Sequence, residues 1–166
     1  KKFKKNTKVK LKKINLLSYS SIITNFKNSY FYHLIKIFLY ILRPFLFYVS
    51  YLQINIYLKK IILDYDIIMA NNGGYPASWG SLAAVVAAKN NNFKSIVLLI
   101  HHAANKYSPL MVNFEKYIDK LVLNSCNKII FVSNASKNKF LENRNINDEK
   151  NKMLVIHNQF QFKIMK

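Results

Sequence analysis

The feature that most constrains this chain is a regular exchange of short apolar runs with helical patterns between Asp64 and Phe160. Asp66-Ile67-Ile68-Met69-Ala70, Ser95 to Ile100, Ile129 to Val132 and Met153-Leu154-Val155-Ile156 each have the length and composition of a strand buried in a parallel sheet. Between the first two, Ser78 to Lys89 carries Leu82, Ala83, Ala84, Val85, Val86, Ala87 and Ala88, small apolar residues suited to a helix packed closely on a sheet. Phe114, Tyr117, Ile118, Leu121 and Val122 recur at helical spacing, and Ser133 stands where it can cap a helix over Ala135 to Glu142. Polar Asn143 to Asn151 reads as a loop. Strands alternating with helices predict an α/β fold, a Rossmann-like parallel sheet with helices on both faces.

Sheets of this kind bind ligands beyond the carboxyl ends of their strands. Polar clusters fall at those ends here: Asn71 to Gly74, His101-His102, Ser133-Asn134 and His157-Asn158. Asn71-Asn72-Gly73-Gly74-Tyr75-Pro76 reads as a turn into a helix, in which Gly73 and Gly74 either make the turn or let a ligand approach the backbone. His101 and His102 end a strand, so their side chains point to opposite faces and one of them reaches a given site. A neutral imidazole there donates a hydrogen bond to a hydroxyl or phosphate, or is satisfied by loop carbonyls. No Asp or Glu stands beside the pair, so a nucleophilic triad has no support. A GxGxxG dinucleotide fingerprint is also missing. Glu115 and Asp119, one helical turn apart, are expected to be solvated or to pair with Lys116, Lys120 or neighbours.

The first 63 residues differ from the rest. They hold thirteen Lys and Arg and no acid, whereas residues 64–166 hold thirteen bases against seven acids; together these give the net +19. Such a field attracts polyanions, anionic lipid and nucleic acid alike. Nucleic acid is the weaker partner, because the basic residues lie outside the α/β pattern and no RNP-like or helix-turn-helix signature is present. Val9 to Leu17 reads as an edge strand. Tyr30 to Leu58 is rich in Tyr, Phe, Ile and Leu and reads as helices broken at Pro44, either buried on the sheet or partly facing a membrane surface. Arg43, Gln53 and Asn55 count against a transmembrane span. The lone Cys126 forms no internal disulfide, and no Cys/His spacing fits a metal site. The chain begins Lys1-Lys2-Phe3 without Met, which suggests a start within a longer protein.

The stretch DIIMANNGGYPASWGSLAAVVAAKNNNFKSIVLLIHHAANKYSP resembles the N-terminal domain of family 4 glycosyltransferases, with its NGGYP turn, AAK-ending helix and strand ending in His. FEKYIDKLVLNSCNKIIFVSNASKNKF is similar to the helix, strand and VS turn that follow in that family, and KMLVIHNQF to its last strand. The resemblance covers Asp64 to Phe160. It implies a GT-B enzyme that moves a sugar from a nucleotide donor to a glycan or lipid-linked acceptor, usually with retention and with neither cofactor nor metal. It also implies a catalytic role for His101, with Gly73, Gly74, Tyr75, His102, Ser133 and Asn158 binding substrate. The expected organisation is a basic, aromatic part at 1–63, the Rossmann-like core at 64–160, and the start of a linker at 161–166, the donor-binding domain being absent and the chain inactive alone. The expected location is the cytoplasm, on the inner face of the cell membrane. Asn158-Gln159 departs from the family's Asn-Gly, and no glycine-rich first strand precedes Lys8.

Overall fold

A computed structural model describes residues 14–148 and 151–157. Its centre is a four-stranded parallel sheet in the order β1-β2-β3-β4, made of β1 (Ile67–Gly74), β2 (Ser95–His102), β3 (Lys128–Phe131) and β4 (Met153–Val155). The fold is α/β and Rossmann-like, as the alternation predicts. Helices α1 (Tyr19–Asn25), α2 (Tyr32–Ile41) and α3 (Arg43–Ile61) precede the sheet, and α4 (Trp79–Asn90), α5 (Val112–Ser125) and α6 (Asn134–Arg144) make its crossovers.

Strands taken in sequence order with right-handed crossovers put all the connecting helices on one face. Burial follows that rule. Ile96, Leu98 and Ile100 of β2 are buried with Ile129 and Phe131 of β3, under Leu82, Val85, Ile118, Val122 and Phe140 of the helices. The alternate residues face the other way, and among the described residues that second face is open: Ile67 and Met69 are each about 60% exposed, while Val97, Leu99 and Ile130 are only half-buried. Among the described residues the connecting helices cover the buried face. Among the described residues the first strand, expected to be buried, lies at the edge of the sheet with Ile67 and Met69 exposed.

Strand β1 also runs further than its apolar stretch. Asn71 and Asn72 pair with Leu99 and Ile100, and Gly74 with His102, so the ladder carries the backbone past the hydrophobic run. The expected turn at Asn71 to Pro76 thus begins only after Gly74, at the cis Tyr75–Pro76 bond. No glycine among the described residues has a positive φ; the left-handed positions belong to Asn92, Asn145 and Asn151. Asn145 ends α6 at φ 47°, a position where its short polar side chain is tolerated. Helix α6 consequently reaches Arg144, two residues into the expected loop.

Before the sheet, the chain is helical from Tyr19. The edge strand expected at Val9 to Leu17 lies mostly outside the described residues, and its described part, Ile14 to Leu17, is not a strand. Leu17 instead donates its N–H to Gln53 Oε1 (3.0 Å) and accepts from Ser50 Oγ (3.1 Å), tying the segment to α3. The expected break at Pro44 falls at Leu42, between α2 and α3, which meet at 70°. Pro44 sits in the first turn of α3, where its missing N–H has no intrahelical partner to lose. Helix α3 packs along α4 through Leu46, Phe47, Ser50, Ile54 and Leu58.

Candidate functional site

The carboxyl edge of the sheet gathers most of the residues singled out from the sequence. Gly74 and His102 are register partners, and Gly73 lies between two paired positions, beside His101. By strand alternation His101 shares the open face with Val97 and Leu99, while His102 ends the strand exposed. A side chain at Gly74 would meet His102 Cβ at 3.6 Å, an ordinary contact, and one at Gly73 would meet nothing within 4 Å. Neither glycine is required by backbone angle or by crowding. Their effect is to leave bare backbone next to the two imidazoles. Ser133 lies two residues past the next strand, and His157, exposed, follows the last. Asn158 lies outside the described residues.

Two of these residues are occupied with structure. Ser133 Oγ accepts the Ser136 N–H (3.1 Å) and caps α6, the plainer of its two expected roles. Tyr75, expected to bind substrate, has no exposed surface: its ring packs edge-on against Phe140 and its hydroxyl donates to Asp119 Oδ1 at 2.6 Å. Burial foremost, with the Asp119 charge and hydrogen bond adding to it, pushes the Tyr75 hydroxyl well above the ordinary tyrosine range.

That contact belongs to a buried network. Arg144 donates from Nε and Nη2 to both oxygens of Asp119 (2.9 and 3.0 Å) and from Nη1 to Glu115 Oε2 (2.7 Å). All three side chains are almost wholly inaccessible. The Tyr107 hydroxyl sits 2.8 Å from Asp119 Oδ2 and 2.6 Å from the Arg144 carbonyl, and the guanidinium lies 3.9 Å from the Tyr107 ring centroid. The expectation of solvated acids, or of pairing with Lys116 and Lys120, is therefore overturned. Glu115, Ile118, Asp119 and Val122 form the buried stripe of α5, so the two acids stand at core positions and need an internal cation.

The network's position explains its relevance to the edge. Asn105 N–H donates to the Tyr75 carbonyl (2.8 Å), Asn143 Nδ2 to the Ala104 carbonyl (2.7 Å) and Arg144 Nη1 to the Asn105 carbonyl (3.4 Å). The loops leaving β1 and β2 are thereby fastened to each other and to α6. Asn72, fully buried on β1, exchanges hydrogen bonds with the backbone of Ser78 (3.4 and 3.5 Å), the cap residue of α4. These residues position a rigid rim behind Gly73, Gly74, His101 and His102. Of them, Glu115 and Asp119 carried a sequence signal, since both fall at i, i+3, i+4 spacing with Ile118 and Val122.

No protein-family model, curated protein or solved structure matches this chain. The chemistry of the edge is accordingly read from its own groups: two imidazoles, exposed backbone at Gly73, and polar strand ends at Ser133 and His157. Among the described residues no group of three His, Cys, Asp or Glu is arranged to hold a metal ion. Imidazoles beside bare backbone suit neutral, hydroxyl-rich or phosphorylated ligands.

Proposed function

We propose that this chain is the acceptor-side domain of a GT-B glycosyltransferase, transferring a sugar from a nucleotide donor to a glycan or lipid-linked acceptor. The observation that carries the reading is the meeting of Gly73-Gly74, His101-His102, Ser133 and His157 along one carboxyl edge of a parallel sheet, in the order of the family 4-like motifs. In this reading His101 lies next to the transferred sugar and steadies its hydroxyls by hydrogen bonding. His102 and the backbone at Gly73 and Gly74 hold the acceptor, and the loops fastened by Arg144 keep the edge in shape. In this reading the donor nucleotide is gripped by the second domain of a GT-B enzyme.

The test is a set of amide NMR titrations of the chain with glycans, polyprenyl-phosphate-linked sugars and nucleotide sugars. An acceptor is expected to move the signals of Gly73, Gly74 and His101, and His101→Ala to weaken that binding about tenfold or more. Nucleotide sugars alone are expected to leave this edge unmoved. If no acceptor perturbs the edge while a short oligonucleotide binds tightly in competition with heparin, the glycosyltransferase reading fails and a basic binding module takes its place.

A further inference from the structure

Helix α3 is apolar on two opposite sides. Leu46, Phe47, Ser50, Ile54 and Leu58 face inward, whereas Phe45, Tyr48, Leu52 and Ile56, spaced three or four residues apart, form an exposed stripe. Helix α2 is exposed on the same principle: Leu34, Ile37, Phe38 and Ile41 recur at i, i+3, i+4 and i+7, each about 60% exposed, with Leu39 its buried residue. The two stripes lie on consecutive helices, the first ending at Ile41 and the second beginning at Phe45. A soluble helix normally keeps one such face, and the second requires something apolar to cover it.

The polar residues that counted against a membrane role are turned away from the stripe. The Arg43 guanidinium lies among aromatic rings, 4.5 Å from the Tyr40 centroid and 5.6 Å from those of Tyr19 and Trp79. Ser50 and Gln53 bond to Leu17, and Asn55 Oδ1 accepts from Asn90 and Asn91 (3.0 and 2.7 Å). Lys36 falls on the side of α2 away from its stripe, and Lys59 and Lys60 flank the end of the α3 stripe. No acid occurs before Asp64 to oppose the thirteen basic residues there.

We propose that α2 and the outer side of α3 lie in the plane of an anionic lipid bilayer, their apolar stripes among the acyl chains and the lysines at headgroup level. Charge complementarity selects the partner: Lys59 and Lys60 flank the α3 stripe and the first 63 residues hold thirteen bases and no acid, which matches an anionic leaflet. The helices lie in the membrane rather than cross it. No single helix among the described residues is long and apolar enough to span, the pair that passes together is bent by 70°, and the inner side of α3 is already occupied by α4. The contact is independent of what the sheet edge binds.

The experiment is sedimentation of the full chain with vesicles of phosphatidylcholine, alone or mixed with phosphatidylglycerol. Binding is expected only with the anionic lipid and is expected to weaken as salt rises. Phe38→Glu and Phe45→Glu should each lower the partition coefficient about tenfold or more, and Lys59→Gln with Lys60→Gln about tenfold. Met69→Glu, equally exposed but on the sheet, should leave binding unchanged with circular dichroism intact in all variants. Equal binding to neutral vesicles, indifference to Phe38→Glu, or retention in the pellet after alkaline carbonate would each overturn the proposal. So would a dimer that Phe38→Glu dissociates while vesicles are left unbound.

Discussion

The two parts of this molecule invert the usual arrangement in opposite ways. Helices α2 and α3 carry large apolar side chains on their outside, and the sheet domain carries charges on its inside, where Arg144, Glu115 and Asp119 are nearly sealed from solvent. The outward apolar residues cost the fold little. The inward charges are tolerable because Arg144 bonds both oxygens of Asp119 and Oε2 of Glu115, and losing one partner leaves the others stranded in a poorly polarisable interior. Stability is thus expected to be sensitive in the sheet domain and indifferent on the helical stripes.

The sharpest way to break that contrast is Arg144→Ala. It leaves two buried carboxylates unpaired and is expected to lower stability by about 3–5 kcal/mol in urea unfolding. Phe38→Ser on the exposed stripe should stay within about 0.5 kcal/mol in the same assay. A large loss at Phe38, or none at Arg144, would erase the difference. Next in size is Tyr75→Phe, which removes a hydrogen bond to a carboxylate and is expected to cost about 1.5–3 kcal/mol. It should also alter the alkaline behaviour. An unfolded tyrosine ionises near pH 10 while the folded hydroxyl holds its proton to higher pH, so this stabilisation is complete below about pH 10 and is lost as pH rises above it. The variant should lose stability less steeply above that pH.

Asn145→Ala removes the short polar side chain that makes φ 47° tolerable and should cost about 1 kcal/mol, while Asn145→Gly should be close to neutral. The smallest effect concerns Cys126. Burial pushes its thiol up to about 12 from an ordinary 9, so its contribution is intact below about pH 9 and fades as pH rises towards 12. Cys126→Ala should flatten the stability profile across that window, and the folded wild-type thiol should resist thiol reagents at neutral pH.

The parts of the fold legible in the sequence are those set by local pattern. Ile96 to Ile100 and Met153 to Val155 are apolar over the length of a strand, and the small residues of α4 leave no other role for that segment. The extension of β1 to Gly74 was hidden because Asn71, Asn72 and the glycines look like a turn; only pairing with β2 makes them a strand. The charge network was hidden for a related reason. Arg144 lies 25 residues from Asp119 and 29 from Glu115, and nothing local marks it as their partner. The direction of α3 was undecidable from periodicity, since its two apolar faces are almost opposite. At the site, the strand-end positions of Gly73, Gly74, His101 and His102 could be read from the run of β1 and β2, but the burial of Tyr75 could not.

The strand order has one more consequence, for the way the molecule is made. Spatial order and chain order coincide in β1-β2-β3-β4, so no strand has to wait for a later one before it can pair. Each crossover closes a short loop onto the strand just completed, which keeps the entropic cost of every step low for a parallel sheet. The acids of α5 are synthesised before their cation. Without Arg144 the two acids have no internal cation, and its side chain also ties the Asn105 loop behind the sheet edge.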